Sequence, residues 1–294
     1  MKAEPLFYMT NTALFIDSKN AMYRAVYAIK SQQERAKFAG KPVNSSHSIV
    51  VLLRQITGWI REFKPTSVHL FYDAPRKSVW RRKLLETYKD RTNSSYIENI
   101  SEELEKCIEI SRELFQHLNV RQYYRENMEA DDLIFAAASV RHPAKTVIVS
   151  TDSDMVQIPF MFNSCEVYNP AVGKIVEVPT TNPAITKALI GDKSDNIKGY
   201  HGIGPKKGEV ILEDGKKLQD FFEFKGNTTF KQNLMLTDLM LNPKLLGNKM
   251  YALKASSSDI SYDTKSILDI ARKHGIHTIQ SDFVDLIYPF EKLQ

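Results

Sequence analysis

The sequence predicts an α/β fold, a parallel sheet covered by helices, followed by a mainly helical region. Three observations carry this. Apolar runs of strand length end in aspartate, stretches of helical spacing alternate with them, and beyond Pro179 helical segments dominate between Gly- and Lys-rich turns.

In chain order, Ala13-Leu14-Phe15-Ile16 is apolar and strand-like and ends at Asp17. Residues 46–63 place Ile49, Val50, Leu53, Ile56 and Ile60 on one helical stripe, and Val68-His69-Leu70-Phe71-Tyr72 then runs into Asp73. A second helical stretch covers about 102–118, with Leu104, Ile108 and Leu114, before a short β-like segment at 119–124. A helix opens near Glu129 and leads to a strand at 146–150, followed by Asp152 and Asp154. The expected division is a core over 1–179 and a helical region over 180–294. No internal repeat or low-complexity tract interrupts it.

At 294 residues and 43% hydrophobic content the chain can bury a real core. Forty basic against 35 acidic side chains leave a net charge of +5, so any acidic pocket is offset by basic surface elsewhere. No run approaches the 18 or so apolar residues of a membrane span. Two cysteines, Cys107 and Cys165, give neither a disulfide framework nor a metal-binding spacing, and a reducing cytoplasm is the expected compartment.

The acids are the main signal. Asp17, Asp73 and the pair Asp152 and Asp154 follow strands, Glu129-Ala130-Asp131-Asp132 lies between the last two, and Asp192 and Asp195 come later. In an open parallel sheet, groups at the carboxyl ends of the strands meet in one crevice. Each acid alone could be a helix cap or a turn residue. Together they would repel, by about 4 kcal/mol for two charges 4 Å apart at an effective dielectric of 20. With no His or Cys beside them, the expected counter-ions are hard, oxygen-liganded Mg²⁺ or Mn²⁺. Two such ions can clamp the attacking and leaving oxygens of a phosphodiester.

Two basic features accompany the acids. In Gly199-Tyr200-His201-Gly202-Ile203-Gly204-Pro205-Lys206-Lys207-Gly208, Gly202 and Gly204 are expected to allow close backbone approach. Pro205 suits the first turn of a helix, and Lys206 and Lys207 add charge for a phosphate. An ordinary helix–helix turn is the plainer reading; Walker A and dinucleotide patterns are absent. Between 76 and 91 stand Arg76, Lys77, Arg81, Arg82, Lys83, Lys89 and Arg91, interleaved with Trp80 and Tyr88. Cations beside rings make a single-strand binding surface, although such runs are often only solvated faces. This one starts three residues after Asp73.

These motifs, Asp17 with Asn20 and Arg24, Asp73, Tyr88-Lys89, Glu-Ala-Asp-Asp, Ser-Thr-Asp-Ser-Asp, Gly-Asp-Lys-Ser-Asp-Asn-Ile and Gly-Ile-Gly-Pro-Lys, resemble the structure-specific 5′-nucleases. That family includes flap endonucleases, the 5′-nuclease domain of DNA polymerase I and phage 5′-exonucleases; Ser78-Val79-Trp80-Arg81-Arg82 is most similar to the phage RNase H branch. The resemblance implies a PIN-like core, a helical arch at about 75–100, and a helix–three-turn–helix at about 184–214. It implies a first metal held by Asp17, Asp73, Glu129, Asp131 and Asp152, with Asp132 a ligand or directly behind one, and a second served by Asp154, Asp192 and Asp195. Lys89 and Arg24 would contact the scissile phosphate and Tyr88 would stack on a base. Arg76, Lys77, Arg81, Arg82, Lys83 and Arg91 would track nucleic acid. The main-chain carbonyls of Lys198, Tyr200 and Ile203 would hold K⁺. Thr92 stands where relatives often carry an arginine.

The function so implied is a Mg²⁺-dependent 5′→3′ exonuclease and flap endonuclease, with RNase H activity, that removes RNA primers or 5′ flaps during replication. Its partners would be branched or nicked duplex DNA with a 5′ flap or single-stranded 5′ end, RNA–DNA hybrids and a replication protein such as single-stranded-DNA-binding protein. The chain would be a monomer, cytoplasmic in a host bacterium if phage-encoded. One alternative is a PIN-type endoribonuclease, against which the loop at Gly202–Gly204 and the basic segment argue. Another is an inactive junction-binding protein, against which the complete acid set argues.

Overall fold

The computed structural model describes residues 11–35, 45–90, 95–140, 145–225, 228–242 and 259–293. Strand β1 (Thr12–Asp17) leads into α1 (Ser18–Arg35), and α2 (Ser45–Phe63) precedes β2 (Ser67–Tyr72). Then come α3 (Ser95–Phe115), β3 (Val120–Tyr124), α4 (Ala130–Val140), β4 (Lys145–Val149), α5 (Gln157–Met161), β5 (Cys165–Asn169) and β6 (Lys174–Ile175). The sheet order is β3-β2-β1-β4-β5-β6, parallel throughout except for the β5–β6 pair. A crossover helix between parallel neighbours leaves both sheet faces covered.

Strand periodicity sorts the core. Leu14, Ile16, Val68, Leu70, Val147 and Val149 face α1, α2 and α3, whereas Ala13, Phe15, Phe71 and Ile148 face α4. Helix α4 is buried from Ala130 through Ala138, which explains its apolar composition. Parallel pairing aligns the carboxyl ends of β1, β2, β3 and β4 along one edge, and the acids after these strands meet there.

Beyond the sheet lie α6 (Pro183–Ile190), a short antiparallel pair β7 (Gly191–Asp192) and β8 (Ile197–Lys198), α7 (Pro205–Glu213), α8 (Gly215–Lys225) and α9 (Thr228–Thr237). Asn182 caps α6 by accepting from the Ala184 and Ile185 amides, and Pro183 and Pro205 stand in the first turns of α6 and α7. A close chain crossing that the sequence does not announce lies just before the loop at Gly202–Gly204. A Cβ at Gly191 (φ +81°) would lie 2.3 Å from the Gly199 amide nitrogen, and one at Gly199 would lie 2.1 Å from the Ile190 carbonyl oxygen. Gly202 also has a left-handed φ of +78°, but nothing lies within 4 Å of a Cβ at either 202 or 204. These two glycines leave open space at the start of α7.

The division expected at residue 180 needs correction at the C-terminus. Helix α10 (Thr264–Lys273) packs on α3, and the short helical turns Phe283–Leu286 and Tyr288–Glu291 pack on α2, with the turn Thr278–Ser281 packed between α10 and Phe283–Leu286. Ile267, Ile279, Ile287 and Phe290 are wholly buried in the same cluster as Leu14 and Leu53. The residues preceding α10 are fastened to the start of β3, with the Asn119 amide donating to the Ser261 carbonyl at 2.7 Å and a bridge joining Leu118 to Tyr262. The second helical segment also starts earlier than expected, at Ser95, and none of the described helices is long and apolar enough to cross a membrane.

Candidate active site

The carboxyl edge of the sheet positions the acids one by one. Asp17 ends β1, where its Oδ1 accepts from the Asn20 amide (3.1 Å) and its Oδ2 from the Ser150 hydroxyl (3.2 Å). Asp73, just past β2, accepts from the Ala130 amide at 2.8 Å, which places a carboxylate on the N-terminus of α4. After β4, Asp152 accepts from the Asp154 amide at 2.8 Å. Oxygens of Glu129, Asp131 and Asp132 lie within 4.8 Å of one another, as do those of Asp154, Asp192 and Asp195. No His or Cys belongs to either group.

The electrostatics show strong crowding. Burial, then the Asp73 and Asp152 charges, push Asp17 up to about 7. Asp195 is pushed up to about 6, chiefly by burial, with Lys89 opposing. Burial likewise raises Asp131 and Asp154 above the usual carboxylate range. Glu129 goes the other way: burial pushes it up, but the charges of Arg81 and Lys89 overcome this and hold it at about 2. Buried carboxylates that resist ionisation for want of positive charge suit a divalent ion, which would supply it.

Lysines answer part of the charge. Lys19 pairs with Asp73 at 3.1 Å, and Lys187 reaches Asp154 at 2.5 Å and Asp192 at 2.7 Å. The Lys89 ammonium lies 2.8 Å from Glu129 and 4.0 Å from Asp195, between the two acid groups. Neither Lys19 nor Lys187 stands out in the sequence. Their only signals are positions two residues after Asp17 and one helix earlier than Asp192.

Several expected nucleic-acid contacts take other places. Arg81, assigned to the binding surface, is 1% exposed. Its guanidinium donates to Glu129 (2.7 Å), to both oxygens of Asp132 (2.9 and 3.1 Å) and to the Leu236 carbonyl (3.0 Å). A buried arginine surrounded by carboxylates gains more from pairing there than from reaching solvent. Tyr88, expected to stack on a base, is likewise buried, and its hydroxyl donates to Glu129 at 3.2 Å. Arg24, expected at the scissile phosphate, donates to the Pro170 carbonyl at 2.9 Å. Asp132 is fully buried, with oxygens accepting from Arg81, the Trp80 indole N–H and the Glu129 amide, so it stands behind Glu129 and anchors it.

Arg81→Met should therefore strand Asp132 as a buried, uncompensated charge and leave Glu129 with Lys89 as its one remaining cation. The expected destabilisation is about 3–5 kcal/mol. A denaturant midpoint equal to the parent's would show that this network contributes no stability.

The outward basic surface is smaller than the sequence suggests. Arg76, Lys77 and Lys83 are exposed, and Arg82 is tied to the Tyr88 carbonyl (3.0 Å) and Asp90 (2.6 Å). Lys77, Arg82 and Lys83 line an open cavity of about 530 Å³ with Ser78, Val79, Glu86 and Asn127. Of the segment expected to arch, 75–100, residues 75–90 lie against the core through Trp80, Arg81 and Tyr88, and residues 95–100 belong to α3. Arg91 lies outside the described residues. Lys206 and Lys207 are exposed at the start of α7. The Lys198 carbonyl accepts from Asn233 at 2.9 Å and the Tyr200 carbonyl from the Ile203 amide at 3.0 Å. Unheralded in the sequence is an exposed ring pair on α1, Tyr23 and Tyr27, stacked with centroids 6.3 Å apart.

A parallel sheet that gathers carboxylates at one edge, with lysines between them, suits a divalent-metal site for phosphate chemistry. Residues 12–185 match the family model described as the 5′-3′ exonuclease N-terminal resolvase-like domain, and the chain belongs to that family. It is 25% identical to a 5′-3′ exonuclease of Mycoplasma pneumoniae over 93% of this chain and 99% of that protein. It is 27% identical to DNA polymerase I of Streptococcus pneumoniae over 71% of this chain but only 24% of the polymerase, about a quarter of its length. Its fold is similar to that of a 5′-exonuclease from T5, with a TM-score of 0.60 at 19% identity over 91% of this chain and 99% of the other.

Proposed function

We propose that the chain is a divalent-metal-dependent 5′→3′ exonuclease and flap endonuclease that cuts 5′-ended strands of branched or nicked duplex DNA. Among solved relatives of this fold, one was co-crystallized with metal ions and another is a flap endonuclease complex with DNA and metal ions. The carrying observation is the place of Lys89, whose ammonium bridges the Glu129 group and the Asp195 group. A phosphate spanning those groups would meet that cation.

Asp17, Asp73, Glu129, Asp131 and Asp152 would hold one Mg²⁺ or Mn²⁺, and Asp154, Asp192 and Asp195 a second. Such ions supply an activated water and neutralise charge on the leaving oxygen. The protein's own residues do the rest. Lys89 contacts the scissile phosphate and with Arg81 holds Glu129 ionised, and Asp132 orients Glu129 by accepting from its amide. Lys77 and Lys83 guide the single strand, the exposed Tyr23–Tyr27 pair offers a stacking surface, and Lys206 and Lys207 take duplex phosphates. We extend the proposal to RNA primers on RNA–DNA hybrids during replication, with K⁺ at the carbonyls of Lys198, Tyr200 and Ile203. A replication protein partner and a monomeric state belong to the same proposal.

A cation aimed at charge that grows during attack lowers the barrier more than it tightens substrate binding. Lys89→Ala should lose on the order of 10²-fold in single-turnover rate, while the flap dissociation constant changes by well under tenfold. Binding weakened as much as cleavage would reduce Lys89 to part of the electrostatic track.

A further inference from the structure

The motif residue Asn196 fastens the turn that carries Lys89. Its side-chain amide donates to the Thr87 carbonyl at 2.8 Å and to the Asp90 carbonyl at 2.7 Å, clasping both ends of the turn. From the same loop, the Asp195 carbonyl accepts from the Lys89 amide at 3.2 Å. Both residues at the clasp have left-handed backbones, Asn196 at φ +59° and Lys89 at φ +54°. Asparagine tolerates that region, whereas lysine there is held only where surrounding contacts over-determine it. Here those contacts come from the loop between Asp192 and Ile197. Ile197 continues the grip, buried in one cluster with Tyr88, Ala74 and Leu236.

The geometry points to Asn196 as a positioning residue for Lys89, and the inference rests on the proposed action of Lys89 at the scissile phosphate. Without the clasp, turn 87–90 keeps its internal bond from the Asp90 amide to the Thr87 carbonyl (3.0 Å) but loses its side-chain tie to the acid-bearing loop. The ammonium then no longer has a fixed station between Glu129 and Asp195. Because Asp192 and Asp195 flank the same loop, the lysine and the second acid group would move as one unit.

The test is a double-mutant cycle. Asn196→Gly keeps the left-handed backbone and deletes both donors; Asn196→Asp keeps the shape and turns a carboxylate oxygen toward two carbonyls. Each should slow single-turnover cleavage of a flap substrate by roughly 10- to 100-fold, as a misplaced catalytic group does. The flap dissociation constant should stay within threefold. In the Lys89→Ala background, Asn196→Gly should cost nothing further. Limited trypsin treatment of the metal-free protein should cut after Lys89 in Asn196→Gly and spare that bond in the parent. Parental rates in Asn196→Gly, losses that multiply in the double variant, or unchanged trypsin protection would each overturn the positioning role while leaving Lys89 standing. A near-parental rate in Lys89→Ala alone would instead overturn the reading of Lys89, and this inference with it.

Discussion

Asp152→Asn is expected to lower cleavage by on the order of 10³-fold or more while leaving the metal-free protein at least as stable as the parent. Asp152 is half-buried after β4, and its charge is one of those that push the buried Asp17 up to about 7. An asparagine keeps an oxygen that can accept from the Asp154 amide, so the local turn survives. What disappears is one ligand charge and one source of repulsion. The sign of the pH dependence follows from Asp17. Its folded value of about 7 lies above its ordinary 3.8, so between about pH 4 and pH 7 the unfolded chain binds fewer protons than the folded one. Stability without metal should therefore fall as pH rises through that window. Asp195, raised to about 6, acts in the same sense, whereas Glu129, held at about 2, contributes stability that is lost only below about pH 4.5. In EDTA, thermal midpoints should decline from pH 4 to 7 in the parent and less steeply in Asp152→Asn. Near-parental turnover in the variant would remove Asp152 from the metal site.

Ending the chain at residue 258 is expected to unfold the nuclease core. The segment 259–293 supplies Ile267, Ile279, Ile287 and Phe290, all wholly buried in the cluster that also holds the apolar faces of α2 and α3. At about 1.5–3 kcal/mol for each fully buried side chain, their loss removes roughly 6–12 kcal/mol, comparable to the whole stability of a typical domain. The loss would extend further, because Ile276 and Leu286 of this segment are buried in the same cluster; the exposed pairs Arg61–Asp285 (2.9 Å) and Lys273–Glu113 (2.8 Å) add little. Phe290→Ala alone should cost about 3–5 kcal/mol. A truncated protein that melts cooperatively at the parental temperature by circular dichroism would show the segment to be an appendage.

Much of this arrangement was legible in the sequence because it depends on local pattern. A strand buried on both faces reads as an apolar run, and the acid after it must fall at the sheet edge, so Asp17, Asp73 and Asp152 could be placed without coordinates. Helix α1 was harder. Its buried face is Ala21, Met22, Ala25, Val26 and Ile29, and two alanines make a weak stripe. Long-range choices left no local trace. Arg81 and Arg82 are neighbours of identical chemistry, yet one is sealed among carboxylates while the other reaches Asp90. Nothing in the pattern of residues 264–291 says that they cover α2 and α3 instead of extending the helical region. The chain's self-crossing between Gly191 and Gly199 went unread for the same reason, since the β7–β8 turn brings those residues together. The sequence signature around Gly202 and Gly204 marks open backbone at the head of α7.

The proposed function places cleavage of 5′-ended strands at the acid edge of the sheet. Its most direct test is product mapping on 5′- and 3′-end-labelled flap and nicked duplexes, with Mg²⁺ and with EDTA. The expected result is cleavage at or near the flap junction and stepwise shortening from the nick, both leaving 5′-phosphate and 3′-hydroxyl ends and both abolished by EDTA. Cleavage that persists in EDTA, or that starts from 3′ ends, would contradict it.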